Sequence, residues 1–219
     1  MRKSICILGS TGSIGQSTIE IILKNKSKYK VLLLVADKNY KKLYKQAVKL
    51  NSKYIYINDK TKIKKIAKLV GNKKIKIIHD FKDINNILKK KIDLTMSAVS
   101  GIDGLKYNLM IIKHTKKILL ANKESIICGW NLIKKELNKF KTIYQPVDSE
   151  HFAIYELMKS ININMLKDIH ITASGGPFLN SKLSDLKNIS IKSALNHPKW
   201  KMGKKISIDS ATLMNKIFE

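Results

Sequence analysis

Two acidic residues flank one serine in PVDSEHFAIYELMK, the stretch from residue 146 to residue 159. Side chains at alternate positions of an extended segment point to the same face, so Asp148 and Glu150 would present their carboxylates together. Such a pair repels unless a cation lies between the two groups. The alternative is that Asp148 or Ser149 caps a helix that begins at HFAIYELMK. On this stretch alone, the helix cap is the favoured interpretation.

A second chemical signal is the glycine-rich stretch ILGSTGSIGQSTIEI near the N-terminus. Gly9, Gly12 and Gly15 lie between a predicted strand and a predicted helix, where glycine lets the backbone approach a pyrophosphate at the helix N-terminus. The spacing is G-x-x-G-x-x-G and not the commoner G-x-G-x-x-G, so the argument rests on the structural context. A tight turn is the alternative, but the context favours dinucleotide binding.

The second predicted strand ends in VADKN, which bears on the choice of cofactor. An acidic residue here commonly binds the ribose 2′-hydroxyl of NAD, whereas a basic neighbour accommodates the 2′-phosphate of NADP. Asp37 and Lys38 therefore favour opposite cofactors. From the residues alone, the choice stays open.

Polar residues also follow a later predicted strand, in LLANKES. Asn122, Lys123 and Glu124 would face the ligand crevice, because that crevice lies at the carboxyl ends of parallel strands. The alternative is an ordinary helix start, with Asn122 as cap and Lys123 in solvent. Further on, the turn Ser174–Gly176 in TASGGPF could cradle an anion with its amides, or could be a plain turn.

The last stretch, SIDSATLMNKIFE, predicts a helix that begins near Ser210. On a helix, residues three and four apart share a side, so Asn215, Lys216 and Glu219 should cluster. A Lys–Glu pair on the surface is the simpler interpretation of this cluster.

These candidates need elements that position them, and the hydrophobic pattern supplies a prediction. Up to about residue 125, short apolar runs alternate with helical stretches, which predicts a doubly wound, Rossmann-like α/β domain with a parallel sheet. After about residue 130 we expect a helix (GWNLIKKELNKFK), a strand (TIYQPV), a strand (DIHITASGG) and an ordered but mobile loop over 177–205. We therefore predict a nucleotide-binding domain at 1–130 and the start of an α+β catalytic domain at 143–219.

The composition limits the classes of partner. The 219 residues include 43 Lys and Arg against 16 Asp and Glu, a net charge of +27. Nucleic acid is a usual partner of so basic a chain, but Arg2 is the only arginine and the charge is spread along the whole sequence. This abundance of Lys, Ile and Asn is typical of an A+T-rich genome. What remains is attraction to polyanions or a favourable field for a phosphorylated substrate.

Location follows from equally simple features. Two cysteines, with no disulfide pattern, favour a reducing cytoplasm. The apolar runs are too short to cross a bilayer, and the glycines near the N-terminus interrupt any signal-peptide pattern.

Several long motifs occur in one order: GSTGSIG, LLANKES, PVDSEH, SGGPF, HPKWKMGKKISIDSAT and MNK..E. In this order they resemble the 1-deoxy-D-xylulose 5-phosphate reductoisomerase family, and the resemblance runs from Arg2 to the last residue. It implies an enzyme that rearranges the carbon skeleton of 1-deoxy-D-xylulose 5-phosphate, most simply by retro-aldol cleavage and re-addition. NADPH then reduces the resulting aldehyde to 2-C-methyl-D-erythritol 4-phosphate, at the entry to the non-mevalonate isoprenoid route.

The resemblance also implies roles for individual residues. The metal ligands would be Asp148, Glu150 and Glu219, an all-oxygen set that suits Mn²⁺ or Mg²⁺, with Co²⁺ as a further candidate. Lys123 would complete the catalytic group, assisting electrostatically or in proton transfer. The substrate contacts would be Lys123, Ser149, Glu150, Ser174, His197, Trp200, Ser210, Asn215, Lys216 and Glu219. The NADPH contacts would be Thr11, Gly12, Ser13, Ile14, Asp37, Lys38, Asn39, Asn122, Glu124 and Gly203.

Within this set some residues share a task. Ser174, Ser210, Asn215 and Lys216 match phosphate-binding positions, and His197 with Trp200 lies in a loop that closes over the substrate. At Asp37 the family would have a small residue, and the departure bears on recognition of the 2′-phosphate.

Two alternatives remain: another NADP-dependent dehydrogenase, and a basic polyanion-binding Rossmann-like protein without catalysis. Members of the family are usually homodimers and continue well beyond the position that matches Glu219. We therefore expect a fragment or a decaying gene, in which the first domain binds NADPH, residues 150–219 are loosely organised, Glu219 is poorly held and turnover is negligible.

Overall fold

A computed structural model describes residues 1–219 as two compact units, Met1–Asp148 and Ser149–Glu219. The first unit is built on a seven-stranded sheet in which all paired strands run parallel. Its strands are β1 (Lys3–Leu8), β2 (Tyr29–Ala36), β3 (Tyr54–Ile57), β4 (Lys76–Ile78), β5 (Ile92–Ser97), β6 (Thr115–Leu120) and β7 (Ile143–Pro146).

The order across the sheet is β4-β3-β2-β1-β5-β6-β7. The chain winds outward from β1 to β4 and then returns to place β5 on the other side of β1. The prediction of a doubly wound parallel sheet is confirmed, and its switch point lies between β1 and β5. In folds of this kind the crevice at the switch point is where ligands bind.

Helices connect the strands of the first unit. They are α1 (Ser13–Lys24), α2 (Tyr40–Leu50), α3 (Ile63–Val70), α4 (Ile84–Ile87), α5 (Asp103–Ile111) and α6 (Lys123–Phe140). Alternation along β1 shows why the sheet is covered on both faces: Ile5 and Ile7 belong to one hydrophobic core, and Cys6 and Leu8 belong to the other. Burial raises the pKa of the Cys6 thiol, which serves as a core side chain.

An ion-pair network ties β1, β5 and β6 together. The Ser4 backbone N–H and hydroxyl both donate to Asp93 Oδ2 at 2.8 Å, and Lys116 Nζ lies 2.7 Å from Asp93 Oδ1. The bond from Lys116, followed by those from Ser4, lowers the pKa of Asp93 to about 2. This network joins the N-terminal ends of these three strands, whereas the switch-point crevice lies at their carboxyl ends.

The second unit contains four helices and short 3-10 turns. The helices are α7 (Ser149–Met158), α8 (Ile191–Ala194), α9 (Lys204–Ala211) and α10 (Met214–Ile217). The strand expected over DIHITASGG is wrong, because residues 168–175 form no regular element and 168–173 are exposed. Alternation of isoleucines favours a strand only where a neighbouring strand supplies hydrogen-bond partners, and none pairs with this segment.

The helix predicted near Ser210 begins earlier than expected, at Lys204, and is interrupted. Helix α9 ends at Ala211, Leu213 adopts a left-handed conformation with φ of 60°, and α10 follows. None of the helices in either unit combines the length and the apolar character that a membrane span requires.

Candidate functional site

The turn between β1 and α1 is held by unusually close backbone contacts. Gly9 has φ of +79°, and a Cβ added there would lie 2.4 Å from the carbonyl oxygen of Ala98. A Cβ at Gly15 would lie 2.3 Å from the carbonyl oxygen of Gly9. Only glycine fits these two positions, because such distances are far below ordinary contact between carbon and oxygen. Two of the three glycines predicted from the sequence, Gly9 and Gly15, therefore have a steric cause.

The N-terminus of α1 is left open to an anion. Gly12 is the residue before the helix and supplies no side-chain cap, and the first turn holds no acidic residue. The first backbone N–H groups of a helix have no partner within the helix, and they carry a partial positive charge. The residues predicted to hold the pyrophosphate, Thr11 to Ile14, form this end of the helix.

A cleft of about 270 Å³ lies beside this turn, at the carboxyl ends of β1, β2 and β5. Three groups of residues line it: the glycine turn, the end of β2 with Asp37, and the segment Ala98–Ser100 that follows β5. This is the switch point of the sheet, the usual place for a dinucleotide. Of the predicted cofactor residues, Thr11, Gly12 and Asp37 line the cleft. Lys38 and Asn39 come next in the chain and are exposed.

Sequence reasoning missed several residues of this cleft. Asn58 follows β3, and Asp103, Lys106 and Tyr107 come from α5. None of them belongs to a recognisable motif, and their position follows only from the packing of distant elements. Asn39, predicted near a 2′-phosphate, accepts a hydrogen bond from the Lys42 N–H at 3.2 Å and caps α2.

Asn122 positions the start of α6. Its Oδ1 accepts from the Ser125 N–H at 2.7 Å, and its Nδ2 donates to the carbonyl oxygens of Val99 and Gly101. The helix-cap interpretation is therefore correct for Asn122. The same side chain also fixes the segment after β5 that lines the cleft, so it links α6 to the predicted cofactor site.

Lys123 is not in solvent, contrary to the alternative from the sequence. It is 7% exposed, and its Nζ lies 3.4 Å from Asp148 Oδ2. Asp148 follows β7, so a strand neighbouring β6 brings the carboxylate to the lysine. The predicted cofactor residue Glu124 lies beside it in the first turn of α6.

Within the second unit, the carboxylates of Glu150 and Glu219 both bind the ammonium group of Lys216. Lys216 Nζ donates to Glu150 Oε1, and also to Glu219 Oε2 at 2.6 Å. Asn215 Nδ2 donates to Glu219 Oε1 at 2.8 Å, as the predicted cluster of these residues requires. The Glu219 side chain is fully buried. The expectation that Glu219 is poorly held is therefore wrong in this structure, because two side chains of α10 fix its carboxylate.

Contacts within this cluster shift the pKa values of Glu150 and Lys216. Burial raises the pKa of Glu150, but hydrogen bonds from Lys216 and Ser149 outweigh burial and hold it below its ordinary value. Burial likewise lowers the pKa of Lys216, while its bonds to the two glutamates raise it overall. The Glu150 carboxylate is therefore ionised at neutral pH. Two carboxylates that meet at one lysine ammonium group form an all-oxygen donor set, and hard oxygen ligands suit a divalent ion.

His197 organises the predicted substrate loop. Its Nδ1 accepts from the backbone N–H groups of Lys199 and Trp200, both at 3.2 Å, so the proton of the neutral ring lies on Nε2. Nε2–H then donates to Ser174 Oγ at 3.0 Å. The indole of Trp200 stacks on the imidazole, with centroids 5.0 Å apart, and is 56% exposed. His197 and Trp200 thus connect the loop to the turn that holds Ser174.

The Ser174 turn also packs against α9. A Cβ at Gly176, where φ is +67°, would lie 2.6 Å from the Ser210 carbonyl oxygen. The predicted phosphate residues Ser174 and Ser210 are therefore brought into one neighbourhood. Gly203, predicted to contact the cofactor, is the residue before α9.

The chain is similar in sequence to known proteins over almost its whole length. The family model for 1-deoxy-D-xylulose 5-phosphate reductoisomerase matches residues 5–129, and the model for the C-terminal domain of that enzyme matches residues 144–219. The reductoisomerase of Pelagibacter ubique is 53% identical over 219 residues, which cover 99% of this chain and 56% of the relative. That of Wolbachia pipientis from Culex pipiens is 43% identical over 218 residues, with the same coverage.

Solved structures give the same result. The reductoisomerase from Zymomonas mobilis in complex with NADPH has a TM-score of 0.86 and 34% identity, over 100% of this chain and 56% of that one. A reductoisomerase in complex with NADPH, fosmidomycin and magnesium gives 0.86 and 34%, over 99% and 56%. The chain thus spans about half the length of the relatives it matches. Because a family model covers more than half of its residues, the chain belongs to the 1-deoxy-D-xylulose 5-phosphate reductoisomerase family.

Proposed function

We propose that this chain supplies the NADPH-binding domain and the metal- and substrate-binding residues of a 1-deoxy-D-xylulose 5-phosphate reductoisomerase. The enzyme would convert its substrate to 2-C-methyl-D-erythritol 4-phosphate by a rearrangement and an NADPH-dependent reduction. Family membership supports the reaction class, and similar structures are complexes with NADPH and magnesium. The single observation that carries the proposal is the convergence of Glu150 and Glu219 on Lys216.

The cleft fits the cofactor. Its open helix N-terminus and the backbone at Gly12 suit a pyrophosphate, and the end of β2 suits the adenosine ribose. Thr11 to Ile14 would bind the pyrophosphate, and Lys38 with Asn39 would lie near the 2′-phosphate. Further cofactor contacts would come from Asn122, Glu124 and Gly203.

The acidic residues fit a divalent cation. Asp148 and Glu150 are two residues apart in the chain, and Glu219 shares a counter-ion with Glu150. When bound, Mg²⁺ or Mn²⁺ would act as a Lewis acid toward the substrate's oxygens. Lys123, buried beside Asp148, would hold its positive charge where negative charge develops on the substrate.

The second unit would bind the rest of the substrate. Ser149 would contact hydroxyl groups, and the phosphate would take hydrogen bonds from Ser174, Ser210, Asn215 and Lys216. His197 holds Ser174 in place, and the exposed Trp200 would cover the bound substrate and exclude water.

The expected partner is a small phosphorylated sugar. That expectation is supported by the match to a reductoisomerase in complex with fosmidomycin. The working assembly would be a cytoplasmic homodimer, with no nucleic acid or membrane as partner.

Binding measurements on the chain test this proposal. Titration with NADPH, followed by nucleotide fluorescence, should saturate, and the affinity should persist at high salt. Titration with Mn²⁺ by calorimetry should show a site that Glu150→Gln weakens while NADPH binding is unchanged. Loss of NADPH binding at high salt, or equal Mn²⁺ affinity in wild type and variant, would contradict the proposal.

A further inference from the structure

Asp37 lies where dinucleotide-binding folds read the adenosine ribose. It follows directly on β2 and lines the same cleft as the glycine turn. An acidic side chain at this position accepts a hydrogen bond from the ribose 2′-hydroxyl, a group that NADH has and that NADPH carries as a phosphate ester. The residue therefore bears on which of the two cofactors the chain accepts.

The carboxylate of Asp37 is held in place by a chain of hydrogen bonds. Asn58 Nδ2 donates to Asp37 Oδ1 at 2.9 Å, and Tyr107 Oη donates to Asn58 Oδ1 at 2.8 Å. The two bonds require the same orientation of the Asn58 amide, donor toward the carboxylate and acceptor toward the phenol. Each bond thus reinforces the other.

Tyr107, at the other end of this series of hydrogen bonds, is held rigidly in the core. Tyr107 is 5% exposed, and the ring of Phe81 packs edge-on against it with centroids 4.8 Å apart. A further edge-on contact comes from Tyr56, at 6.3 Å. Because the phenol is fixed in the core, the orientation of Asn58 and Asp37 is set before any ligand binds, which lowers the entropic cost of binding.

The carboxylate keeps capacity for a ligand. Oδ1 accepts the bond from Asn58, and an ionised carboxylate offers further acceptor positions on both of its oxygens. A ribose hydroxyl can donate to such a group, whereas a 2′-phosphate cannot and is repelled by it. Lys38, the next residue, is exposed and attracts the phosphate. Two residues of opposite charge would therefore lie near the same part of a bound dinucleotide.

We propose that Asp37 is a specificity-determining residue that lets this chain bind NADH as well as NADPH. It does so by accepting a hydrogen bond from the 2′-hydroxyl of the adenosine ribose. The inference rests on the proposed function, since it places a nicotinamide dinucleotide in the cleft. It goes beyond that function by naming the residue that narrows the preference for the phosphorylated cofactor.

The test compares dissociation constants for NADH and NADPH in wild type, Asp37→Asn and a matched control, Asp59→Asn. Asp59 carries the same charge one residue after Asn58, but its carboxylate binds Thr61 and Lys62. Both variants remove one negative charge. Only Asp37→Asn replaces a carboxylate that lines the cleft by a neutral amide, so the control separates direct contact from a general change of field.

We expect wild type to bind the two nucleotides with affinities within about 10-fold of each other. Asp37→Asn should weaken NADH binding about 10-fold, because a neutral amide replaces the charged acceptor of the ribose hydrogen bond. It should also tighten NADPH by about 3-fold or more, because repulsion is removed. Asp59→Asn should change neither constant by more than about 2-fold, because its carboxylate does not line the cleft.

The outcomes separate the two proposals. If wild type binds neither nucleotide, the proposed function fails and this inference fails with it. If NADPH binds but the ratio of the two constants is the same in wild type and Asp37→Asn, the inference alone is wrong. An equal change in Asp59→Asn would also overturn it, since a general field would then explain the effect.

Discussion

Replacing Gly15 by alanine should destabilise the fold, whereas replacing Gly12 by alanine should weaken nucleotide binding. At Gly15, the new Cβ would lie 2.3 Å from the Gly9 carbonyl oxygen and 2.7 Å from Ser10 Cα. Both are backbone atoms of the turn that cannot swing aside. At Gly12, the nearest atom would lie at 3.4 Å, an ordinary contact distance, and φ of −76° is accessible to alanine. The two substitutions are chemically identical and differ only in their surroundings.

The magnitudes follow from these distances. Forcing a methyl group into a closely packed site costs about 1–3 kcal/mol, so Gly15→Ala should lower the free energy of unfolding by about that amount. Gly12→Ala should leave the free energy of unfolding unchanged or raise it by up to about 1 kcal/mol, since alanine restricts the unfolded chain. The methyl at Gly12 would stand in the cleft, where the pyrophosphate approaches the backbone. Losing one hydrogen bond to a charged group weakens NADPH by roughly 10-fold or more.

The assay pairs urea unfolding with titration of NADPH fluorescence, each on wild type and both variants. We expect Gly15→Ala to shift the unfolding midpoint and Gly12→Ala to shift the dissociation constant. The reasoning is refuted if Gly15→Ala unfolds like wild type, or if Gly12→Ala binds NADPH with unchanged affinity.

Three further predictions concern individual charges. Asp93→Asn should lower the free energy of unfolding at neutral pH by roughly 1–2 kcal/mol after allowance for solvent screening. Because the folded pKa of Asp93 is depressed from 3.8 to about 2, this advantage of wild type is present above pH 3.8 and is lost as the pH falls toward 2, which acid unfolding curves check. Glu150→Gln, built into an active full-length enzyme, should abolish metal-dependent turnover while NADPH affinity stays nearly intact; full activity in excess chelator would contradict the ligand assignment. Lys38→Ala should weaken NADPH binding by roughly 10-fold and leave NADH binding unchanged, because we expect the ammonium to contact only the 2′-phosphate. If the ratio of the two dissociation constants does not change, another residue must recognise the 2′-phosphate.

Local patterns predicted the parts of the fold that depend on local physics. The alternation of apolar runs and helical stretches led to the parallel sheet, and the glycine turn was located by its place between β1 and α1. The cluster of Asn215, Lys216 and Glu219 followed from helical spacing alone, and the hydrogen bonds to Glu219 confirm it. In each case the pattern that led to the prediction lies within one short stretch of the chain.

Features that depend on distant partners were not predictable in the same way. The sequence was equally consistent with a solvent-exposed Lys123. This side chain is buried because Asp148, which follows β7, lies beside it. Asn58 contacts Asp37, and Tyr107 contacts Asn58, only through the packing of β3 and α5, so no motif marks them. The predicted strand at 168–176 had the right periodicity but no neighbouring strand to pair with, and so did not form.

Turnover is the most direct test of the central claim, that this chain carries the catalytic machinery of a reductoisomerase. The measurement joins residues 1–219 to the remaining part of the Pelagibacter ubique relative and follows NADPH consumption with 1-deoxy-D-xylulose 5-phosphate and Mn²⁺. We predict consumption that requires both the substrate and the metal, yields 2-C-methyl-D-erythritol 4-phosphate and disappears in the Glu150→Gln variant. A well-folded chimera that binds NADPH and Mn²⁺ but leaves the substrate unchanged, or one equally active with Glu150→Gln, would contradict the claim.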